Sequence, residues 1–276
     1  MSGINGRFSD WLVASDIDGT LNNKKHMLPK RNYEAIDRFI NEEGGNFTLA
    51  SGRGPYAIKK HYGRLPGCKN PVVVFNGAGV YDFSIGKMLW FSPICSELQD
   101  FVNKVHKKFP TCEIEIHTLD KIYILNKGIY TAGMTLLNRP ETLTFRRFED
   151  VPTDNWAKVI FYGNPFVIRD IRSYAKLNRP TVTNFMDSSP VTYEMVNIDA
   201  NKWLALLKLA EILGIEKNKI AVIGDHYNDY EMLKNAPVSA CCGQSPRGIK
   251  YVAKMQTCHC DRGAVADLIE FLEENK

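Results

Sequence analysis

Trp11-Leu12-Val13-Ala14-Ser15 is an apolar run that delivers two carboxylates, Asp16 and Asp18, onto the turn residues Gly19-Thr20. The run predicts a short buried strand ending in a glycine turn. In extended backbone alternate side chains share a face, so Asp16 and Asp18 can converge on one point. Two carboxylates brought that close repel each other unless a cation sits between them or one keeps its proton. The stretch therefore asks for a Mg²⁺ ion, a phosphate site or an acid–base pair.

The pattern continues outward from this strand. Further short apolar runs over 46–50, 72–75, 220–223 and 238–240 alternate with helical spacing over 30–43, 55–62, 201–213, 227–233 and 264–274. Such alternation predicts an α/β fold, a doubly wound, Rossmann-like parallel-sheet core with helices on its faces. A hairpin over 80–82 and 88–91, split by Ser84-Ile85-Gly86, interrupts it. From 96 to 186 the order becomes helix, two strands (113–117, 122–125), helix, two strands (143–148, 158–162), helix, strand. That segment reads as an inserted α+β cap domain. The expected organisation is a core from 1–91 and 189–276, interrupted by a cap over 92–188.

Composition narrows the function classes. The chain has 276 residues, 44% hydrophobic and 24% charged, which is the balance of a soluble globular protein. A net charge of +4 suits a small phosphorylated metabolite and falls short of a nucleic-acid footprint. No Lys/Arg cluster is interleaved with aromatics, and no apolar run reaches membrane length. The polar start, without an apolar signal region, and an odd count of seven cysteines predict reduced thiols and a cytoplasmic location.

Three of the expected core strands end in polar, glycine-containing segments: Asp16/Asp18, Ser51-Gly52-Arg53, and Gly224-Asp225-His226-Tyr227-Asn228-Asp229. Ligands of open parallel sheets bind beyond the carboxyl ends of the strands, so the three point jointly at one site. Asp16, Asp225 and Asp229 offer the hard oxygen ligands that Mg²⁺ takes. Ser51, with backbone N–H groups at a helix start, can hold phosphate oxygens. Lys202, in the first turn of the 201–213 helix, is the candidate cation for the remaining anionic charge. Cys241-Cys242 and Cys258-His259-Cys260 raise a second possibility, a soft-metal or redox site. Their spacing matches no standard zinc pattern, and buried free cysteines mostly act as small hydrophobes.

These residues carry a family resemblance. Asp16-Ile17-Asp18-Gly19-Thr20-Leu21, Leu49-Ala50-Ser51-Gly52-Arg53, Phe75-Asn76-Gly77-Ala78, Lys202 before a long helix, and Gly224-Asp225 through Leu233 resemble the haloacid dehalogenase-like (HAD) phosphohydrolases. Within them the chain is similar to the Cof-type group with a large α/β cap, subclass IIB. The resemblance implies a Mg²⁺-dependent phosphatase of small phosphate monoesters, with sugar phosphates favoured. Asp16 would be the nucleophile, and Asp18 the general acid and base. Asp16, the Asp18 backbone carbonyl and Asp225 would hold Mg²⁺, with Asp229 in support. Ser51, Gly52, Lys202 and Asn228 would bind the phosphoryl group, while Arg53, Asn76 and Gly77 would meet the substrate. A phosphomutase or a non-catalytic phospho-ligand regulator on the same fold are the alternatives. Two departures stand out: Gly243-Gln244-Ser245 replaces the family's Gly-Asn-Ala, and Trp203 follows the lysine where glycine is common.

Overall fold

The computed structural model describes residues 6–137, 143–178 and 180–276, so the polar stretch 1–5 lies outside the described residues. In chain order the first elements are β1 (Leu12–Ser15), α1 (Lys30–Asp37), β2 (Asn46–Leu49), α2 (Pro55–Tyr62), β3 (Val72–Val74), β4 (Gly79–Asp82) and β5 (Lys87–Phe91). Next come α3 (Ser96–Lys108), β6 (Glu113–His117), β7 (Ile122–Leu125), α4 (Ile129–Leu137), β8 (Leu143–Phe145), β9 (Lys158–Tyr162), α5 (Pro165–Asn178), β10 (Thr183–Ser189) and β11 (Thr192–Asn197). The last are α6 (Lys202–Leu213), β12 (Ile220–Gly224), α7 (Tyr230–Asn235), β13 (Val238–Cys241), α8 (Arg247–Val252), β14 (Met255–Gln256) and α9 (Ala264–Asn275). The chain divides into two compact units, one of Met1–Arg53, Ile58–Trp90 and Asn201–Lys276, the other of Gly54–Ala57 and Phe91–Ala200.

The first unit is built on a parallel sheet in the order β14-β13-β12-β1-β2. Register matters here. Ser15 lies level with Ile223 of β12 and with Leu49 of β2. The segments that follow all three strands are therefore delivered to the same edge of the sheet, in line with the crevice rule for parallel sheets. Leu12, Ala14, Val222, Leu206 and Leu209 share one buried cluster, so α6 packs its apolar stripe on the sheet. Asn201 caps that helix by accepting the Leu204 N–H (2.9 Å). Burying each such aliphatic side chain stabilises by about 1.5–3 kcal/mol, so the strand registry is strongly held.

Three details differ from the sequence expectation. The third strand, β3, joins β4 and β5 in a small separate sheet and meets the β2 segment at an Ala50–Val73 bridge. The cause lies just after it: Phe75 and Asn76 both take left-handed backbone (φ 53° and 57°), which turns the chain back so that Val72–Val74 pairs with β4. The 30–43 helix is α only to Asp37 and then widens into a π turn over Arg38–Glu42. A final short strand, β14, was too brief to leave a pattern.

The second unit holds a mixed six-stranded sheet, β10-β11-β9-β6-β7-β8, in which β7–β8 is the parallel pair. Period-two alternation splits its faces. Ile114, Ile116, Val159, Phe161 and Met195 meet Phe101, Val105, Ile168 and Ile171 of α3 and α5 in one core. The intervening positions, Glu113, Glu115, His117, Lys158 and Tyr162, are polar and yet buried. This unit runs to Ala200, past the expected boundary at 188. The extra length is β11, whose Met195 lies opposite Val159, so the sheet needs it to complete its pairing.

Candidate active site

Asp16 follows β1 directly, and its backbone N–H still donates to Ile223 O (3.0 Å), which continues the parallel ladder into the site. Its side chain is 6% exposed. Lys202, fully buried in the first turn of α6, donates from Nζ to Asp16 Oδ1 (2.6 Å) and to Asp229 Oδ1 (2.6 Å). The Asn201 cap sets where that turn begins, and so where the ammonium lies. Asp229 is held from the other side, since its Oδ2 accepts the backbone N–H groups of Asp225 (2.9 Å) and His226 (3.1 Å). Asp225 Oδ1 accepts the Thr20 hydroxyl (3.2 Å).

Carboxylate oxygens of Asp16, Asp225 and Asp229 lie within 4.8 Å of one another. Burial pushes the Asp16 carboxyl up to about 8; Lys202 pulls against the shift, and the charges of Asp229 and Asp225 add to it. Asp225 is pushed up to about 6, first by burial and then by Asp229. Burial works to lower the Lys202 ammonium, but Asp16 and Asp229 outweigh it and hold it above its usual value. A simple ion pair would lower Asp16 as it raises Lys202, and here both rise. The geometry gives the reason. Three carboxylates face one ammonium, so Lys202 stays charged, while burial and then the surplus negative charge raise Asp16 and Asp225. A divalent cation would cancel that surplus, and an all-oxygen donor set of this spacing fits Mg²⁺. Gly19 makes room for the Asp225 carboxylate: at φ +79° a side chain is strained, and a Cβ there would stand 2.5 Å from Asp225 Oδ2.

The second and third strand ends supply neutral donors. Ser51 is buried, its Oγ accepts the Arg53 N–H (3.2 Å), and its carbonyl accepts the Asn76 N–H (2.9 Å). Asn228 Nδ2 donates to Asn76 Oδ1 (3.3 Å). Gly52 permits that crowding, because a Cβ would meet Asn76 Oδ1 at 2.6 Å. Gly77, beside Asn76, also needs positive φ (+97°). Asp18 lies apart from the acidic cluster's ion pairs. Arg53 grips it with two hydrogen bonds, Nε to Oδ2 (2.7 Å) and Nη2 to Oδ1 (2.8 Å). Burial pushes the Asp18 carboxyl up, but the hydrogen bonds and charge of Arg53 outweigh it and hold it below the usual carboxylate range.

Residues that sequence reasoning left without a role also build the site. Thr20 steadies Asp225. Gln244 donates to the Gly19 carbonyl (2.5 Å) and accepts the Cys260 N–H (3.1 Å), tying the motif loop to the C-terminal segment. Asn22 Nδ2 meets His61 Nδ1 (3.0 Å) beneath the Asp18 loop. Only the departure at Gln244 hinted at any of this, because the Thr20–Asp225 and Gln244–Gly19 bonds join residues over 200 apart in sequence. All seven cysteines are free. His259, Cys260 and Asp261 do bring three ligand atoms together. The His259 Nδ1 is already engaged, accepting the Asp261 N–H (3.1 Å), so the group serves its own turn. Among the described residues, no helix is long and apolar enough to cross a membrane.

Comparison with known proteins gives the family. A family profile described as haloacid dehalogenase-like hydrolase matches residues 13–269. A Bacillus subtilis protein named 5-amino-6-(5-phospho-D-ribitylamino)uracil phosphatase YitU is 26% identical over 275 residues, covering 96% of this chain and 97% of its own length. The crystal structure of a haloacid dehalogenase-like hydrolase from Bacteroides thetaiotaomicron superposes with a TM-score of 0.82 at 25% identity, covering 95% of this chain and 99% of that one. The HAD subclass IIB sugar phosphatase BT4131 gives 0.78 at 15% identity, with 95% and 99% covered, a likeness of fold. With the three carboxylates, the buried lysine and the profile in agreement, the chain belongs to the haloacid dehalogenase-like hydrolases, as a Cof-type phosphoric monoester hydrolase.

Proposed function

We propose that the protein is a Mg²⁺-dependent phosphatase that hydrolyses small phosphate monoesters, sugar phosphates foremost, through an aspartyl-phosphate on Asp16. The observation that carries this reading is the buried Asp16–Lys202–Asp229 triad at the end of β1, with Asp225 beside it. Asp16, Asp225 and the Asp18 backbone carbonyl would hold the metal, with Asp229 supporting. Bound there, Mg²⁺ supplies charge that offsets repulsion between an anionic nucleophile and an anionic phosphoryl group.

The remaining chemistry falls to side chains. Lys202 fixes the rotation of the Asp16 carboxylate and adds a fixed positive charge. Asp16 attacks phosphorus in line, the phosphorus–oxygen bond to the alcohol breaks, and Asp18 gives its proton to the departing oxygen. Asp18 then takes a proton from water, which attacks the aspartyl-phosphate and releases phosphate and the Asp16 carboxylate. Ser51, Gly52 and Asn228, grouped with Asn76 and Gly77, supply hydrogen-bond donors for phosphoryl oxygens. The preference for sugar phosphates rests on the family resemblance.

The test is phosphate release from sugar phosphates, pyridoxal phosphate and nucleotides, with Mg²⁺ and with chelator, alongside Asp16→Asn. Release that needs Mg²⁺ and vanishes in the folded variant is expected. Appreciable turnover by Asp16→Asn would remove the aspartyl-phosphate from the mechanism.

A further inference from the structure

Asp18 and Arg53 meet in a geometry that a substrate-binding arginine does not need. The guanidinium presents its Nε–Nη2 edge to both oxygens of one carboxylate, at 2.7 and 2.8 Å. Two parallel bonds fix the carboxylate plane as well as its position, which a single bond or a lysine cannot do. Arg53 is itself placed from behind: its N–H donates to Ser51 Oγ (3.2 Å), and its carbonyl accepts the Phe75 N–H (3.0 Å). The backbone that seats the arginine is thus the loop after β2, level in register with β1. His26 Nδ1 stands farther off, 3.7 Å from Asp18 Oδ1, and makes no comparable hold.

The grip leaves the carboxylate usable. Each oxygen has two lone pairs, and the arginine takes one on each. The Asp18 side chain keeps 42% of its surface open, so a proton carried on a remaining pair can face the departing oxygen, and the bared pair can then face a water. Proton transfer requires the acid within hydrogen-bond reach and correctly aimed, so fixing the plane of Asp18 bears directly on its work.

We propose that Arg53 is a positioning residue, which aims the Asp18 carboxyl at the ester oxygen through its two-point grip. This rests on the reading of Asp18 as general acid and base. It departs from the expectation that Arg53 meets the substrate. Arg53 acts on the proton transfer and leaves the choice of alcohol to other groups.

A leaving-group series tests the assignment. The quantity is kcat/KM, which spans events up to alcohol release, measured from 4-nitrophenyl phosphate to alkyl phosphates. A nitrophenolate departs without a proton, whereas an alkoxide needs one. Asp18→Asn should therefore steepen the dependence on leaving-group basicity, losing about 10²–10⁴-fold on alkyl esters and far less on the nitrophenyl ester. Arg53→Gln should steepen it in the same sense by about tenfold on alkyl esters, less than loss of the acid itself. Arg53→Lys, which keeps the charge but loses the fork, should fall between Gln and wild type, and circular dichroism should show all three variants folded. An equal fall for every ester in Arg53→Gln, with the slope unchanged, would make Arg53 a substrate contact and overturn the proposal. A faster alkyl reaction would make the ion pair a latch and overturn it too. If Asp18→Asn leaves the slope unchanged, the acid role of Asp18 itself fails, a result separable from failure of Arg53 alone.

Discussion

Replacing Lys202 with methionine removes the one positive charge that the fold itself places among three carboxylates. Lys202 has no exposed surface, and Asp16 and Asp229 are 6% and 0% exposed. Neither carboxylate can turn to solvent for relief, and Asp229 is additionally fixed by two backbone N–H groups. Breaking a buried pair by removing one partner costs about 3–5 kcal/mol, because the other charge stays desolvated. At about 2–4 °C per kcal/mol for chains of this size, the melting temperature should fall by roughly 6–20 °C. The assay is thermal and urea denaturation in chelator, comparing wild type, Lys202→Met, Asp229→Asn and the double variant. Asp229→Asn keeps an oxygen for the Asp225 and His226 N–H groups while removing the charge. The double variant should therefore recover a large part of the loss, and the cycle should return a coupling of about 1–3 kcal/mol. Mg²⁺ should restore part of the single variant's stability by mass action on the folded state. A Lys202→Met protein within about 1 kcal/mol of wild type in chelator would refute the reasoning, since that is the worth of an exposed pair.

Gly19→Ala places a side chain at φ +79° and 2.5 Å from Asp225 Oδ2; it should cost about 1–3 kcal/mol of stability and weaken Mg²⁺ binding measured by calorimetry. Trp156 is 1% exposed inside the second unit's core, so Trp156→Ala should destabilise that unit by about 3–5 kcal/mol and, followed by hydrogen exchange, spare the β1 and β12 amides. Asp267 should contribute to the acid limb of stability. It accepts the Cys258 N–H and the Arg31 guanidinium. Burial pushes its carboxyl up, but those bonds outweigh burial and hold it below the usual range. A depressed carboxyl binds its proton more weakly folded than unfolded, so its contribution is complete above about pH 4 and is lost as pH falls below that. Asp267→Asn should flatten the decline of the urea midpoint below about pH 4, and an unchanged profile would dismiss the pair.

Much of the candidate site was legible because each part of it is local. Asp16, Ser51 and Asp225 each follow a short apolar run, and the turn chemistry after each run is written in adjacent residues. Arg53 could be placed near the site but not assigned, since its partner Asp18 lies 35 residues away and only folding joins them. The burial of the polar positions of β6 and β9 could not be read from the sequence, as alternation alone cannot say what buries the other side. β11 escaped notice for the same reason that β14 did: strand pairing is a contact between distant segments, and a strand's membership in a sheet is settled by its partners.

By itself the sequence determined the kind of sheet, the interruption of the core, and the residues able to do phosphoryl chemistry, because period, turn residues and acid spacing act over a few residues. Tertiary structure alone decided that Ser15, Leu49 and Ile223 lie level, so that three loops share one edge. It also decided that one lysine satisfies two carboxylates 27 and 186 residues away. Register and burial are set by the free energy of packing whole elements together, and charge in a desolvated cluster depends on everything around it.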